Sequence, residues 1–298
     1  MLTLCVAMQK GGVGKTSCTV NLADAIRRLG FRVLVIDMDP QANSSLILGL
    51  ETPDLVTPSA LELLLDPAVT LADVLQPSKY TDVSLVYSNL KLASAETILA
   101  KERDPDRVQL LQRKLRSANL SHHLALIDCP PSLSFLTMNA LAAADHILIP
   151  LESGSMFSIR GADDLLMLRD SLKPVQPTLD VLGVIINKYN PRNTYTGPVV
   201  DNIRMRYGSK VFATTIAASA TVRNAEMEGK TCIALQHGSK PARNFISLAQ
   251  EILERVGLRK RPEAEGSKHS TGEAPVHDGV PDQTTEMVGA AVPASATA

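Results

Sequence analysis

A glycine-rich stretch near the amino terminus, residues 9–17, carries residue types that suit the binding of phosphate groups. It lies between an apolar run at residues 2–7, which predicts a buried strand, and residues 18–29, whose apolar spacing predicts a helix. Glycines let backbone N–H groups turn inward around an anion, and the start of a helix adds about half a positive charge. Lys15 is placed to reach the β and γ phosphates of a nucleotide, and the Thr16 hydroxyl is placed to bind Mg²⁺. The alternative is a glycine turn with incidental lysines, and the flanking strand and helix argue against it.

Three carboxylates follow two further apolar runs, at residues 32–36 and 124–127. Asp37 and Asp39 alternate along the chain, so that both face one side if the strand geometry continues, and Asp128 closes the second run. The carboxyl ends of parallel strands are where α/β folds place ligands, and a phosphate site needs carboxylates to hold Mg²⁺ and to position water. An aspartate cap at a strand end is the alternative, which accounts for one carboxylate but hardly for two.

The elements that must position these residues alternate between strands and helices. Apolar runs predict strands at residues 2–7, 32–36, 83–87, 124–127, 146–151, 181–186 and 211–216. Such alternation predicts an α/β fold, with a mostly parallel central β-sheet covered by helices on both faces. From residue 259 the composition changes to Pro, Gly, Ser, Thr, Glu and Ala, which cannot bury enough surface to fold. We expect one domain over residues 1–257 and a disordered tail over residues 258–298.

The charges are unevenly distributed along the 298 residues, although the formal net charge is only −1. Residues 188–261 carry 13 Lys and Arg against 5 Asp and Glu, a balance of +8, so the remainder carries −9. Such segregation predicts a basic face for a polyanion, with a scattered, solvated surface as the alternative.

The composition predicts a cytoplasmic protein. No leader with a basic and then an apolar part opens the sequence, and no apolar run approaches the ~20 residues that span a bilayer. The four cysteines are scattered without a C-x-x-C pair, which favours reduced thiols over disulfides or an iron–sulfur site. The tail has no amphipathic pattern, and we therefore expect no membrane anchor there.

The glycine-rich stretch resembles the deviant Walker A motif, x-K-G-G-x-G-K-[ST], of the ParA/MinD/nitrogenase-iron-protein ATPases. The usual phosphate-loop pattern has a glycine where Gln9 stands, and here Lys10 follows it. Residues 37–41 (Asp-Met-Asp-Pro-Gln) and 128–132 (Asp-Cys-Pro-Pro-Ser) also resemble motifs of the ParA family. The resemblance covers roughly residues 1–257. It implies a P-loop NTPase fold of the deviant Walker A (SIMIBI) type, in the small form of the family that lacks an N-terminal helix-turn-helix domain.

The same resemblance implies roles for individual residues. The ATP-binding set is Lys10, Gly11, Gly12, Val13, Gly14, Lys15, Thr16 and Ser17, with Asn187 on the adenine. The implied catalytic residues are Lys10, Lys15 and Asp39, of which Asp39 orients the attacking water. The implied Mg²⁺ ligands are Thr16, Asp37 and Asp128. The implied DNA contacts are Arg192, Arg223 and Lys230, although an earlier arginine of the family pattern is missing before Arg223.

The implied activity is that of an ATPase that partitions plasmid or chromosomal DNA. Two protomers with ATP and Mg²⁺ close into a homodimer, and Lys10, which has little to bind in its own site once Lys15 occupies the phosphates, reaches the partner's phosphates. The dimer binds DNA without reading its sequence on the nucleoid, and a ParB-like protein accelerates the hydrolysis that releases it. One alternative is the same ATPase positioning another cargo, such as a receptor array or a microcompartment. Another is a P-loop metabolic enzyme, which gives no reason for Lys10.

Overall fold

Seven strands form one sheet in the computed structural model, which describes residues 1–259. They are β1 (Leu2–Val6), β2 (Val33–Asp37), β3 (Leu75–Pro77), β4 (Val83–Val86), β5 (Leu124–Asp128), β6 (His146–Glu152) and β7 (Asp180–Asn187). The order across the sheet is β3-β4-β2-β5-β1-β6-β7, and every neighbouring pair is parallel except β3 with β4. The predicted mostly parallel sheet is therefore confirmed.

Twelve α-helices connect these strands within the described residues. They are α1 (Lys15–Arg28), α2 (Asn43–Leu48), α3 (Ala60–Leu65), α4 (Leu71–Val74), α5 (Ala93–Lys101), α6 (Leu110–Ser117), α7 (Phe135–Ala143), α8 (Phe157–Ser171), α9 (Thr196–Tyr207), α10 (Ala220–Met227), α11 (Cys232–Leu235) and α12 (Lys240–Arg255). Helix α1 begins at Lys15 rather than at the predicted residue 18, because the polar residues of its first turn lack the apolar spacing that signals a helix.

Hydrophobic residues pack against both faces of the sheet. Along β2, Leu34 and Ile36 belong to one core cluster, whereas Val33 and Val35 belong to the other, since successive side chains of a strand point to opposite faces. Burial on both faces explains why the strands appear in the sequence as continuous apolar runs. It also explains why polar residues that follow a strand mark the edge of the sheet.

The predicted strand at residues 211–216 is wrong. In this segment Val211 makes an isolated bridge to Val184 of β7, and the N–H groups of Phe212 and Ile216 donate to the carbonyl oxygens of Val184 and Ile186 at 3.0 and 2.9 Å, which is too irregular for a strand. The backbone N–H groups of Ala213 and Thr214 donate instead to the carboxylate of Glu251 on α12, each at 2.8 Å. A side chain from a helix that is distant in sequence therefore takes two of the segment's backbone donors, and local apolar character cannot reveal this.

The predicted tail over residues 258–298 falls almost entirely outside the described residues, so the tail and the domain boundary at residue 257 stay predictions. Within residues 1–259, no helix combines the length and the apolar character that crossing a bilayer requires. All four cysteines are free and buried (Cys5, Cys18, Cys129 and Cys232).

Candidate nucleotide-binding site

The loop between β1 and α1 has a backbone that requires glycine. Gly12 and Gly14 have φ angles of 74° and 94°, in the left-handed region that other residues rarely adopt. Gly14 also packs against the end of β7, where an added Cβ atom would lie 2.2 Å from Asn187 Nδ2. The same amide donates a hydrogen bond to the Val13 carbonyl oxygen at 2.7 Å. Strand β7 therefore holds the loop in place through Asn187, whose contact with adenine stays a prediction.

We expect Gly14→Ala to destabilise the fold and to weaken nucleotide binding, because the new methyl group would meet Asn187 on a left-handed backbone. The expected loss is about 1–3 kcal/mol in the free energy of unfolding, measured by urea denaturation. Gly154→Ala is the control, since no atom lies within 4 Å of an added Cβ at Gly154 and its φ is not positive. Equal stability of the two variants would contradict the role given to Gly14.

Lys15 lies at the base of the loop, as the first residue of α1, with 7% of its surface exposed. Its Nζ donates to the backbone carbonyl oxygen of Lys10 at 3.3 Å. Burial lowers the pKa of Lys15, while the carboxylates of Asp128 and Asp39 favour the charged form and oppose the shift. A lysine ammonium has three donors. Lys15 can therefore bind phosphate oxygens and keep its bond to the loop.

Asp37 and Asp128 lie side by side at the carboxyl ends of β2 and β5, and both are fully buried. Asp128 Oδ2 accepts hydrogen bonds from the hydroxyls of Thr16 and Ser44, each at 2.7 Å. Burial raises the pKa of Asp128 to about 6, although these two hydrogen bonds favour the ionised form. Burial and the neighbouring Asp128 also raise the pKa of Asp37, whose carboxylate accepts from the N–H and hydroxyl of Ser45 at 2.8 and 2.7 Å.

The predicted Mg²⁺ site fits this arrangement of a hydroxyl in front of two carboxylates. Thr16 lines the cavity described below, whereas Asp37 and Asp128 do not. Mg²⁺ in phosphate sites keeps several waters and takes only one or two protein groups besides the phosphates. A magnesium site of this kind therefore does not need three or more His, Cys, Asp or Glu side chains around the metal. Residues 1–259 contain no such cluster. Thr16 is the group placed for direct contact, with Asp128 directly behind it.

Asp39 faces the cavity with 7% of its surface exposed. Its Oδ1 accepts from the backbone N–H of Gln41 at 3.0 Å. Burial raises the pKa of Asp39, while the hydrogen bond from Gln41 and the charge of Lys15 lower it. A carboxylate beside Lys15, the predicted phosphate-binding lysine, suits the predicted positioning of a water molecule.

The loop opens into a cavity of about 860 Å³. Part of its wall is polar and consists of the loop glycines, Lys15, Thr16, Ser17 and Asp39. Another part is apolar, lined by Leu46, Ile47, Ile216, Val222 and Phe245. The Ser17 hydroxyl also donates to Glu226 of α10, so that α10 contacts the first turn of α1. A cavity with a cationic, glycine-rich part and an apolar part matches the phosphates and the base of a nucleotide.

Lys10 has partners within its own chain but away from the nucleotide cavity, and these partners were not predicted from the sequence. Its Nζ donates to Glu152 Oε2 at 2.9 Å and to Ser155 Oγ at 2.8 Å, and Lys10 does not line the cavity. Glu152 ends β6, the strand beside β1, so the order of the sheet brings it to the loop. The reasoning that singled out Asp37 and Asp128 at strand ends would also have marked Glu152 as a candidate, but it does not predict the pairing with Lys10.

The three predicted DNA contacts lie in different elements. Arg192 is exposed in the segment after β7, Arg223 is exposed on α10, and Lys230 is exposed just after α10. Arg223 also lines the nucleotide cavity, and Lys230 pairs with Glu228 at 3.0 Å. The position of Arg223 beside the nucleotide cavity was not anticipated from the sequence.

Comparison with known proteins identifies the family. A family model described as an AAA domain matches residues 1–181 of the chain. The chromosome partitioning protein ParA of Myxococcus xanthus (strain DK1622) is 31% identical over 253 residues, which cover 85% of this chain and 88% of ParA. The chain belongs to the ParA/MinD-like ATPases. Its predicted family, P-loop fold and ATPase class are thereby confirmed.

Solved structures at moderate identity have the same fold as this ParA/MinD-like ATPase. Cobyrinic acid a,c-diamide synthase from Mycobacterium smegmatis, solved with bound ADP and magnesium, is 29% identical with a TM-score of 0.73, covering 86% of this chain and 96% of that chain. Apo McdA from Cyanothece is 26% identical with a TM-score of 0.74, covering 85% and 99%. The ADP and magnesium of the synthase structure agree with the predicted cofactors, ATP and Mg²⁺.

Proposed function

We propose that this ParA/MinD-like ATPase partitions DNA. It binds ATP with Mg²⁺, closes into a homodimer, binds DNA without sequence preference, and releases the DNA after hydrolysis. The observation that carries the proposal is a set of exposed cations after β7 that form no ion pair within residues 1–259. The resemblance to a chromosome partitioning protein over most of both chains supports it.

The residues of the site have separate roles at the nucleotide. The loop N–H groups and Lys15 bind the β and γ phosphates, while Asp39 orients the attacking water. Thr16 would hold Mg²⁺, with Asp37 and Asp128 behind it. When bound, Mg²⁺ neutralises the charge that develops on the phosphate oxygens.

Lys10 completes the site of the other protomer. Each protomer presents its loop to the partner, and Lys10 crosses between them to the partner's phosphates. A cation delivered in this way stabilises the charge of the transition state as an arginine finger does. The position of Lys10 outside its own cavity supports a role across the interface.

Seven cations after β7 are exposed and form no ion pair with any carboxylate of residues 1–259: Arg192, Arg204, Arg223, Lys240, Arg243, Arg255 and Arg259. Of these, Arg255 donates hydrogen bonds to backbone carbonyl oxygens. Cations of this kind bind the phosphates of DNA and release counterions, and they read no base. Closure of the dimer joins the two sets into one surface.

We expect Arg192→Glu and Arg223→Glu to weaken binding to all DNA sequences alike, and to lower the salt slope of binding by about one each. Fluorescence anisotropy with two unrelated duplexes at several salt concentrations measures both effects. Arg116→Glu on α6 is the matched control, because Arg116 is exposed but lies outside the basic segment. Since Arg223 lines the cavity, the ATP affinity of the Arg223→Glu variant is measured as well. Loss of binding to one duplex alone would indicate base reading and contradict the proposal.

A ParB-like protein is the proposed activator, and the proposed location is the cytoplasm, on the nucleoid and away from the membrane. The gene neighbourhood separates the two cargoes: a ParB-like gene with repeated centromere sites favours DNA, and its absence favours a receptor array or microcompartment. A P-loop metabolic enzyme would instead show ATP hydrolysis that depends on an organic acid and is indifferent to DNA.

A further inference from the structure

We propose that Glu152 holds Lys10 in its own protomer and exchanges it for Lys188 when two protomers close. The proposal rests on the proposed function, in which Lys10 acts on the partner's phosphates. It makes Glu152 a positioning residue that sets how readily the dimer forms.

Glu152 lies between the two lysines. Its Oε2 accepts from Lys10 Nζ at 2.9 Å, while its Oε1 lies 3.9 Å from Lys188 Nζ. Lys188 Nζ donates at present to the carbonyl oxygen of Gly12 in the loop at 2.6 Å. One lysine is thus bound to the carboxylate, and the second is within a small side-chain movement of the other carboxylate oxygen.

The sheet fixes this arrangement. Glu152 at the end of β6 is the register partner of Asn187 at the end of β7, and Lys188 follows with a left-handed φ of 54°. Ser153 ties the two strand ends together, because its N–H donates to the Asn187 carbonyl oxygen and its hydroxyl to the Lys188 carbonyl oxygen, each at 3.0 Å. The carboxylate therefore stays in place while the lysine side chains move.

The negative charge of Glu152 is the reason that Lys10 must leave it when the dimer closes. If the pair stayed intact at the interface, the carboxylate would approach the partner's phosphates and cancel the positive charge that Lys10 brings. A carboxylate left unpaired in a closing interface is costly as well. Lys188 removes that cost, because it can pair with Glu152 as Lys10 departs.

Glu152→Gln tests the holding of Lys10 in the chain without nucleotide. The substitution keeps the shape and removes the charge, so an amine-reactive reagent followed by peptide mass spectrometry should label Lys10 about two- to fivefold faster. Glu228→Gln is the matched control, since Glu228 forms a comparable pair with Lys230 at 3.0 Å. An unchanged rate at Lys10 in Glu152→Gln overturns the proposal, whether or not the chain dimerises.

The dimer equilibrium tests the exchange. Sedimentation with a non-hydrolysable ATP analogue should show the dimer Kd about three- to tenfold lower in Glu152→Gln. The reason is that neither protomer then has to release its Lys10 from Glu152. Lys188→Gln should raise the Kd, and this effect should vanish in the Glu152→Gln background. A weaker dimer in Glu152→Gln, or an equal effect of Lys188→Gln in both backgrounds, overturns the exchange. Absence of any nucleotide-dependent dimer in the wild type would overturn both the exchange and the dimer of the proposed function, while the labelling still decides whether Glu152 holds Lys10.

Discussion

Lys15→Ala is expected to fold normally and to lose ATP binding. The Lys15 ammonium is nearly buried at the base of the loop, and the only hydrogen bond it donates within residues 1–259 is to the Lys10 carbonyl oxygen. Its remaining donors are available to the phosphates, and hydrogen bonds between charged groups contribute about 1.5–3 kcal/mol each. Loss of two such bonds predicts a Kd for ATP at least ~100-fold higher by titration calorimetry. The fold should survive, because burial disfavours the charge that the substitution removes.

Lys114→Ala is the control for this measurement. Lys114 also donates to backbone carbonyl oxygens, those of Asp66 and Pro67 at 2.8 and 3.1 Å, but it lies on α6 and does not line the cavity. ATP affinity should be unchanged in Lys114→Ala. Wild-type affinity in Lys15→Ala would show that the loop does not bind the phosphates.

Mixing Lys10→Ala with Asp39→Ala protomers is expected to restore ATPase activity that neither variant has alone. Lys10→Ala should still bind ATP, since Lys10 lies outside the cavity, but it should not dimerise. Asp39→Ala should form ATP-bound dimers with little turnover, because the water is not oriented. In a mixed dimer, the site on the Lys10→Ala chain keeps its own Asp39 and receives Lys10 from the partner. One of the two sites in each mixed dimer is competent, so a solution of mixed dimers should have about half of the wild-type activity.

Two controls make this mixing experiment decisive. Differently tagged chains are co-purified with ATP to show that mixed dimers form, and Lys15→Ala replaces Lys10→Ala in a parallel mixture. The Lys15→Ala mixture should stay inactive, because that chain cannot bind ATP in the site that would need to be competent. No recovery despite mixed dimers would mean that Lys10 acts within its own chain, and the face-to-face mechanism would have to be abandoned.

The loop and the strand-end carboxylates were predictable from the sequence because each depends on local pattern. Glycines needed for a left-handed backbone, a lysine at the start of a helix, and aspartates directly after apolar runs are all visible within a few residues. Asp37 and Asp128 proved to be register partners. Their adjacency followed from both being ends of parallel strands in one sheet.

What the sequence did not reveal depends on which distant elements become neighbours. The binding of Lys10 by Glu152 follows from the position of β6 beside β1, and the spacing of residues within either strand does not contain that order. The failed strand at residues 211–216 has a similar origin, because Glu251 of α12 takes two of its backbone donors. The place of Arg223 on the cavity wall likewise depends on how α10 packs against α1.

The buried pair of Asp37 and Asp128 couples folding stability to the cofactor. The pKa of Asp128 is raised from 3.8 to about 6 in the folded chain. Between these two values the folded chain holds a proton that the unfolded chain has lost, so the contribution of Asp128 to stability is present in acid and is lost as the pH rises through 6. Burial and the neighbouring Asp128 raise the pKa of Asp37 as well, so the ionisation of this pair at the centre of the sheet is opposed, and a divalent cation beside it would favour the ionised form. Loss of nucleotide and Mg²⁺ would weaken the fold at its middle strands, where most proteins are strongest, and would expose the depleted chain to unfolding and proteolysis sooner than the loaded one.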